Sequence, residues 1–424
     1  MHNYHRTHVN RLIDYISSNS DMRIISVVGP RQVGKTIIAL QALQRLIELG
    51  FTCQYISFDD PSLSEPHCVR DISRIDIRQI ENLATPMNLV NIWETARKAS
   101  LQSPRGHVLF LDEVQLVRRW SNYVKGLWDR DRLEGHPLHI VILGSAAWQM
   151  LVGPNEGLTG RFRELSVTHW SLYEMANVFG LTVDQFMFYG GYPASWPSES
   201  EKSRFDHWRK YITKSIVGSV TGRDIPLLNQ IRKPVLMRQL MNIAPSYSGQ
   251  IMTYSKFSEL LHDKGSAKTV NHYIDLLSDA GLITTLFRYT PYFGMASPPK
   301  LSVLNTALMT APSGYSFQEA QEDRPFWGRV VASAIGAHLC NTRNTATRIH
   351  YWRDKSNGHE VDFVISRGPH LVGVEVQTGK KQTHSGLDAF ESCFPYAKTM
   401  IVGAGGVPFN EFLLLSADNW IEHL

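Results

Sequence analysis

Residues 23–36 read RIISVVGPRQVGKT, an apolar strand followed by a glycine-rich loop and the start of a helix. The spacing GxxxxGK[ST] is typical of a loop that binds phosphate. Gly29 and Gly34 let the backbone curl so that successive N–H groups point inward, and the helix that follows favours an anion at its N-terminus. Lys35 can reach the outer phosphates, while the Thr36 hydroxyl can bind Mg²⁺. The pattern predicts that a nucleoside triphosphate binds at Gly29, Pro30, Arg31, Gln32, Val33, Gly34, Lys35 and Thr36.

The bulk composition describes a folded chain with several domains. At 424 residues the chain is too long for one ordinary core, so roughly two to four domains are expected. Hydrophobic residues make up 43% and charged residues 19%, which excludes a disordered protein. The net charge of +4 permits a nucleic-acid partner without requiring one. The N-terminal segment lacks the apolar core of a signal peptide, and no apolar run reaches the length of about 18 residues that predicts a membrane span.

The number and spacing of the cysteines indicate whether the protein resides in a reducing or an oxidising cellular compartment. The four cysteines are scattered, without a CxxC pair or a histidine at zinc-site spacing. They are Cys53, Cys68, Cys340 and Cys393. This distribution predicts reduced thiols and a cytoplasmic protein.

Three apolar runs follow the glycine-rich loop, separated by segments with helical character. They span residues 54–58, 107–111 and 139–143. Continuous apolar strands that alternate with helices indicate a parallel sheet covered on both faces, an α/β fold. In such sheets ligands bind at the carboxyl ends of the strands, where this chain has Asp59-Asp60, Asp112-Glu113 and Gly144-Ser145.

Asp112 and Glu113, after four apolar residues, fit a Walker B pattern. Asp112 can hold Mg²⁺ through water, and Glu113 can polarise the water that attacks the γ-phosphate. The extra strand between the two motifs, which ends in Phe58-Asp59-Asp60, indicates the additional-strand branch of P-loop ATPases. Because no NKxD sequence is present to read guanine, we expect ATP as the nucleotide.

Two further residues are candidates for sensing the γ-phosphate. Ser145 stands at the tip of a strand, where it can be either a polar sensor or an ordinary helix N-cap. Arg161 follows a flexible GLTG loop that begins at Gly157, and it can be an arginine finger acting in cis or in trans, or a plain solvated arginine. Both alternatives stay open for each residue.

These motifs resemble a family of prokaryotic AAA-type ATPases whose C-terminal domain has long been catalogued as of unknown function. The resemblance spans nearly the whole chain and is carried by GPRQVGKT at 29–36, LFLDEVQ at 109–115, ILGSAA at 142–147, GRF at 160–162, FYGGYP at 188–193, and the segments 269–283, 351–354 and 360–363. It implies an ATPase domain in the N-terminal part. The later motifs identify the family more than an activity.

The C-terminal half is expected to contain three further domains. We predict an ATPase domain at 1–169, a helical lid or connector at 170–229, a winged-helix-like domain at 230–297 and a nuclease-like domain at 298–424. In the third predicted helix of the winged-helix segment, Val270, Tyr273, Ile274 and Leu277 share one face. Its opposite face would carry Lys268, Asn271, His272, Asp275 and Asp279. This mixture allows DNA contact, protein docking or a purely structural role.

Residues 360–365 and 372–377 resemble two hairpin strands of the PD-(D/E)XK nuclease fold. Such nucleases need two carboxylates for Mg²⁺ and a lysine that orients the attacking water. Asp362 and Glu375 supply the carboxylates, but Gln377 stands where the lysine belongs. Ala332 stands where the family usually has a glutamate, although Lys380 or Lys381 can substitute for the lysine from nearby. The two departures favour a nuclease-like scaffold that does not cleave.

The leading hypothesis is an Mg²⁺-dependent ATPase that uses ATP to switch the arrangement of its C-terminal domains. One alternative is an ATP-gated nucleic-acid enzyme in defence against foreign DNA. The other is a DNA-binding switch without catalytic activity on DNA. An oligomer, a protein partner of the C-terminal domains and DNA are compatible partners, and a membrane is not expected.

Overall fold

The computed structural model divides the chain into two compact units, Met1–Val167 and Thr168–Leu424. The structure describes residues 4–18, 23–59, 83–145, 160–196, 201–228, 231–261, 266–291, 297–354, 358–379 and 385–423. Within these ranges, none of the helices combines the length and the apolar character needed to cross a membrane. The predicted division into four domains stays a prediction.

The N-terminal unit is an α/β layer structure with a parallel sheet of five strands. The strands lie in the order β2-β3-β4-β1-β5. The elements are α1 (Thr7–Ser17), β1 (Ile24–Gly29), α2 (Lys35–Glu48), β2 (Thr52–Ser57), α3 (Pro86–Gln102), β3 (His107–Asp112), α4 (Trp120–Glu134), β4 (Leu138–Ser145) and β5 (Phe162–Ser166). The predicted parallel α/β sheet is therefore confirmed.

Apolar side chains cover both faces of this sheet. On β1, Ile25 and Val27 join a cluster with buried residues of α1 and α2, whereas Ile24 and Val28 join a second cluster with residues of α3 and α4. Successive side chains of a strand point to opposite faces, so a strand buried on both sides needs an uninterrupted apolar run. This requirement explains why β1 and β3 show no alternation of polar and apolar residues.

The register aligns the carboxyl ends of the central strands at the same end of the sheet. Gly29 of β1 pairs with Ser145 of β4, and Asp112 of β3 lies beside Ser57 of β2 and Leu143 of β4. The glycine-rich loop leaves the sheet from this same end, after Gly29. The topology thus gathers the two predicted nucleotide motifs at one end of the sheet.

The C-terminal unit begins with helices and ends with an α/β region. Its helical first part comprises α5 (Leu172–Phe179), α6 (Val183–Tyr189), α7 (Glu201–Lys210), two π-helical segments (Tyr211–Gly218 and Val220–Asp224) and α8 (Ile225–Leu228). Next come α9 (Pro234–Ile243), α10 (Tyr254–Leu260), α11 (Ala267–Asp279), β6 (Ile283–Leu286) and β7 (Lys300–Val303). Strands β6 and β7 form an antiparallel pair.

The amphipathic helix predicted between residues 268 and 279 is α11. Its apolar face is buried as predicted, through Val270, Tyr273, Ile274 and Leu277. Lys268 and His272 are exposed on the other face, together with two acidic residues, Asp275 and Asp279. The three helices α9–α11 followed by a two-stranded pair give the order of elements on which the winged-helix interpretation depends.

The last part of the chain is a four-stranded sheet in the order β11-β10-β9-β8. Its elements are α12 (Ala307–Thr310), α13 (Phe317–Glu322), α14 (Arg324–Thr342), β8 (Arg348–Arg353), β9 (Glu360–Arg367), β10 (His370–Gln377), α15 (Ser385–Cys393), β11 (Lys398–Gly403), α16 (Phe409–Phe412) and α17 (Ala417–His423). Strands β9 and β10 form the hairpin predicted from the sequence, and β10 pairs with β11 in parallel.

Candidate nucleotide-binding site

The loop between β1 and α2 adopts backbone conformations that its glycines make accessible. Gly34 has φ 94° and ψ 24° in the left-handed region, directly before the first residue of α2. Gln32 also has a positive φ, 62°, which is uncommon for a residue with a side chain. A Cβ on Gly29 would lie 1.9 Å from the carbonyl oxygen of Val167. Glycine at position 29 is therefore required by packing, and glycine at position 34 by backbone geometry.

Lys35 is the first residue of α2 and turns its side chain back over the loop. Its Nζ donates to the carbonyl oxygens of Gly29, at 3.0 Å, and of Pro30, at 2.8 Å. The ammonium group therefore lies at the mouth of the curled loop, close to the N-terminus of a helix of 14 residues. Both features favour an anion at this position.

Thr36 connects the glycine-rich loop to the end of β3. Its Oγ1 donates to Asp112 Oδ2 at 3.0 Å, across 76 positions of sequence. Asp112 is 6% exposed and accepts a second hydrogen bond from the Tyr55 hydroxyl at 2.5 Å. A hydroxyl and a carboxylate side by side, both oxygen donors, are the ligands that Mg²⁺ prefers, so these residues fit that ion.

Burial is the main cause of the shifted pKa values of Asp112 and Tyr55. It raises the pKa of Asp112, an effect that the hydrogen bonds from Tyr55 and Thr36 and the charge of Lys35 partly offset. The pKa of Tyr55 is also raised, first by burial and then by the neighbouring Asp112 carboxylate. Tyr55 therefore stays a hydroxyl donor at neutral pH, and it fixes the orientation of the carboxylate.

Glu113 lies next to Asp112 with a left-handed backbone, φ 55° and ψ 35°. The Gln115 side-chain amide donates to its Oε2. Burial, followed by the Asp112 charge, raises the pKa of Glu113 to about 7, while Lys35 and Arg31 act in the opposite direction. A carboxylate with a pKa near neutrality is well matched to general-base chemistry.

The remaining loop residues differ in exposure. Pro30 and Val33 are buried, Arg31 is half-buried and Gln32 is exposed. The carbonyl oxygen of Val33 accepts a hydrogen bond from Arg6 Nη1 at 3.1 Å, and Arg6 is only 3% exposed. This buried arginine thus anchors the loop at Val33.

Sequence reasoning missed Arg6, Tyr55 and Gln115. Arg6 precedes α1 and carries no motif. Tyr55 sits within an apolar run, where it looks like an ordinary core residue. Only Gln115 had a local signal, because it lies two residues after Glu113.

The two proposed γ-phosphate sensors are placed differently. The backbone of Ser145 pairs with Gly29, at the edge where the loop emerges. Arg161 lies at the amino end of β5, where its carbonyl oxygen accepts from Ile24 N. Ile24 and Gly29 are five residue steps apart on β1, which corresponds to roughly 17 Å along the strand.

Arg161 also has a partner of its own. Its Nε and Nη2 donate to the two oxygens of Asp129, at 2.8 and 3.1 Å, and its guanidinium group lies 5.6 Å from the ring centre of Trp128. This position, at the amino end of the sheet, does not support a finger that acts in cis. A role in trans stays a prediction.

Some predicted features lie outside the described residues. They are Asp60, residues 157–159 of the GLTG loop, Lys380 and Lys381. Asp59 is described, and its Oδ1 accepts a hydrogen bond from the Ser57 hydroxyl at 2.7 Å.

The structure places Asp362 on β9 and both Glu375 and Gln377 on β10, the two paired strands of the predicted hairpin. The antiparallel register runs from His370 opposite Arg367 to Val374 opposite Phe363, so Asp362 and Glu375 follow at the end of the paired region. Asp362 Oδ2 accepts from Val376 N at 3.0 Å, and Gln377 Nε2 donates to Glu375 Oε1 at 3.4 Å. Ala332 is half-buried on α14.

Family comparisons support the assignment of the N-terminal unit and leave the rest open. Residues 21–176 match the model of an AAA domain. Residues 181–319 and 327–411 match two domains of unknown function, DUF8612 and DUF4143. None of the curated proteins matches the chain.

Solved structures with related folds share little sequence with this chain. AMPPCP-bound DnaA from Aquifex aeolicus is 15% identical, with a TM-score of 0.33, covering 65% of this chain and 90% of its own. Aeropyrum pernix ORC1 in complex with DNA is 13% identical, with a TM-score of 0.29 and coverage of 76% and 93%. The Thermotoga maritima RuvB branch migration motor is 14% identical, with a TM-score of 0.24 and coverage of 65% and 70%. Overall similarity this low carries no functional argument.

The N-terminal unit is an AAA-type, P-loop NTPase-like α/β domain. Such a domain indicates nucleotide binding and ATPase activity. The family comparisons assign no activity to the C-terminal unit.

Proposed function

We propose that this chain binds Mg²⁺-ATP at the glycine-rich loop and hydrolyses it. The observation that carries the proposal is the meeting of two motifs that are far apart in sequence: the Thr36 hydroxyl lies 3.0 Å from the Asp112 carboxylate. The Lys35 ammonium lies at the mouth of the same loop, bound to its carbonyl oxygens. A phosphate ligand would offer this ammonium a stronger, charged acceptor.

Each residue has a distinct role in this proposal. The main-chain N–H groups of the loop and Lys35 bind the phosphates. Thr36 and Asp112 would hold Mg²⁺, which supplies electrostatic stabilisation of the phosphate oxygens when bound. Glu113 accepts a proton from the attacking water, and its raised pKa of about 7 suits this task. Tyr55 and Arg6 orient the Asp112 carboxylate and the loop, respectively.

Calorimetric titration with ATP and Mg²⁺ tests the binding step. Lys35→Ala is expected to abolish detectable ATP binding, because it removes the ammonium group that lies at the glycine-rich loop. Lys98→Ala is the matched control, because Lys98 is exposed on α3. Equal ATP affinity of Lys35→Ala and wild type would refute the proposal.

We further propose that ATP switches the arrangement of the C-terminal domains. The division of the chain into two compact units supports this part, because a switch needs parts that are stable by themselves. Hydrogen exchange of residues 168–424 is expected to change when ATP and Mg²⁺ are added to wild type, and not when they are added to Lys35→Ala. An unchanged pattern in a wild type that binds ATP would remove the switch and leave the ATPase.

DNA binding is a second candidate function, supported by the order of elements α9, α10, α11, β6 and β7. The exposed face of α11 carries Lys268 and His272 beside Asp275 and Asp279, and this mixed charge weakens the case. If α11 contacts duplex DNA, binding will depend on salt and will weaken in Lys268→Glu. Absence of binding at low salt would exclude this candidate.

A further inference from the structure

Lys300 belongs to none of the sequence motifs, and it contacts a carboxylate cluster in the C-terminal unit that is formed by Glu360 and Asp362. Lys300, on β7, is a charged residue with only 2% of its surface exposed. Its Nζ lies 3.0 Å from Glu360 Oε1 and 3.4 Å from Asp362 Oδ1. It also donates to the Asp362 carbonyl oxygen at 3.2 Å, and the Phe363 ring centre lies 5.3 Å away.

These contacts use the full donor capacity of the ammonium group. A lysine has three N–H donors, and Lys300 has three acceptors, all on Glu360 and Asp362. Because its side chain is 3% exposed, it is not free to turn toward a water or a phosphate outside the cluster. Lys300 therefore differs from a lysine that serves a substrate, whose donors must point into an open site.

The carboxylates are likewise held by groups of the chain itself. Asp362 Oδ1 faces the Lys300 ammonium, and Asp362 Oδ2 accepts from Val376 N. Glu375 is 6% exposed, and its Oε1 accepts from the Gln377 side-chain amide. Three oxygens that a nuclease would offer to a metal ion, Asp362 Oδ1, Asp362 Oδ2 and Glu375 Oε1, thus face donors of the protein.

The resemblance to PD-(D/E)XK nucleases implies a divalent metal at Asp362 and Glu375, but these residues do not fit that ion. An ammonium in contact with Asp362 repels a second cation at the same carboxylate. We propose that Lys300 is the built-in cation of this cluster, and that the pair Asp362 and Glu375 therefore binds no divalent metal and cleaves no nucleic acid. This inference is independent of the nucleotide site of the N-terminal unit.

The first test measures Mn²⁺ uptake by the full chain without nucleotide, using the electron paramagnetic resonance signal of free Mn²⁺. Wild type and Asp362→Asn are expected to take up the same amount, because Asp362 holds no ion in either. Any site near Thr36 and Asp112 contributes equally to both proteins. An additional ion in wild type that Asp362→Asn lacks would overturn the proposal.

A second measurement removes the lysine. Lys300→Met keeps the length of the side chain without its charge and is expected to gain one Mn²⁺ that is lost again in Lys300→Met/Asp362→Asn. Lys300→Arg keeps the charge and should gain none. A folded Lys300→Met that gains no ion would contradict the role of Lys300 as the cation. If Lys300→Met does not fold, the comparison of wild type with Asp362→Asn still decides.

A cleavage assay distinguishes a built-in cation from a catalytic lysine. Supercoiled plasmid incubated with wild type and millimolar Mn²⁺ is expected to be cut no more than with Asp362→Asn. Cutting by wild type that disappears in both Asp362→Asn and Lys300→Met would make Lys300 a catalytic residue and overturn the proposal.

Discussion

Two aspartates, one at the carboxyl end of β3 and one near the start of β9, have opposite kinds of partner. Asp112, in the N-terminal unit, accepts hydrogen bonds from two neutral hydroxyls, Thr36 and Tyr55. Asp362, in the C-terminal unit, faces the ammonium of Lys300. Hydroxyl donors orient a carboxylate and leave its charge available, whereas an ammonium in contact neutralises it.

The position of the nearby lysine makes this difference. Among the residues that the structure describes, a lysine lies near each aspartate, but Lys35 donates to the carbonyl oxygens of Gly29 and Pro30. Lys300 donates to the carboxylates themselves. The same two residue types therefore give a site open to a cation in one unit and a closed ion pair in the other.

Glu113→Gln should have the largest effect on the open site. A glutamine cannot accept the proton of the attacking water, so hydrolysis should fall on the order of 10²–10⁴-fold while ATP binding is kept. Phosphate release at saturating ATP measures it, with Glu134→Gln on α4 as a control that should hydrolyse normally.

The pH profile sharpens the same prediction. Glu113 must be ionised to act as a base, and its pKa is raised to about 7, so wild-type hydrolysis should fall as the pH drops through about 7. The residual activity of Glu113→Gln should lack this step. A wild-type rate that is flat between pH 6 and 8 would contradict the assignment of Glu113 as the base.

At the ion pair of Lys300 with Glu360 and Asp362, removing the acids should lower the unfolding free energy more than removing the lysine. Glu360→Gln/Asp362→Asn leaves an ammonium that is 3% exposed without an anion, and it should cost roughly 3–5 kcal/mol of unfolding free energy. Lys300→Met leaves carboxylates that are 34% and 30% exposed and can be hydrated, so its cost should be smaller. Urea denaturation of both variants measures the difference. Equal losses would mean that Lys300 is not the buried charge that dominates this cluster.

Acid should destabilise the N-terminal unit through two buried histidines. Burial lowers the pKa of His107 and of His139 to about 4, from 6.5. These histidines bind protons more readily in the unfolded chain than in the folded one. Their contribution to the unfolding free energy is therefore fully present above pH 6.5 and is lost as the pH falls toward 4, on the order of 2–3 kcal/mol for each histidine. Glu113, whose folded pKa is raised, titrates in the opposite sense over pH 4.5–7.

Urea denaturation at several pH values, in the Glu113→Gln background, isolates the histidines from this opposing titration. His107→Asn/His139→Phe in that background should show a shallower loss of stability between pH 6.5 and 4. His338 of the C-terminal unit, whose pKa is also lowered to about 4 by burial, remains in both proteins and cancels in the comparison. Identical pH dependence with and without the two histidines would rule out their contribution.

Tyr55→Phe should change the metal dependence of ATP binding rather than the binding itself. Without the hydroxyl, Asp112 loses one orienting donor, a hydrogen bond to a charged group worth about 1.5–3 kcal/mol. The Mg²⁺ concentration needed for half-maximal ATP binding should rise roughly tenfold or more, while binding in EDTA should not change. Tyr123→Phe, at an exposed tyrosine on α4, should leave both unchanged.

Arg161→Ala should have the smallest effect on hydrolysis by a single chain. Arg161 lies at the amino end of the sheet and pairs with Asp129, so we expect less than about a twofold change at low protein concentration. A loss of activity that appears only at high protein concentration would indicate a finger that acts in trans. A loss at every concentration would contradict the position of Arg161 at the amino end of the sheet, away from the phosphate loop.

Much of the fold was predictable because it depends on local patterns. The apolar runs predicted the parallel sheet, the spacing of Val270, Tyr273, Ile274 and Leu277 predicted the buried face of α11, and residues 360–377 predicted the hairpin of β9 and β10. The two π-helical segments after α7 were not predicted beyond their helical character, since their turns differ from α-helical ones in hydrogen bonding and not in composition.

The sequence by itself determined the phosphate loop and the acidic strand end, because glycine geometry and strand periodicity act between neighbouring residues. Tertiary structure alone decided which groups meet these residues: Tyr55 and Thr36 at Asp112, Asp129 at Arg161, and Lys300 at Asp362. Each of these contacts joins residues from different elements, and their distances depend on strand order and register. Whether Asp112 or Asp362 is available to bind a cation therefore depends on tertiary contacts, which the local sequence does not specify.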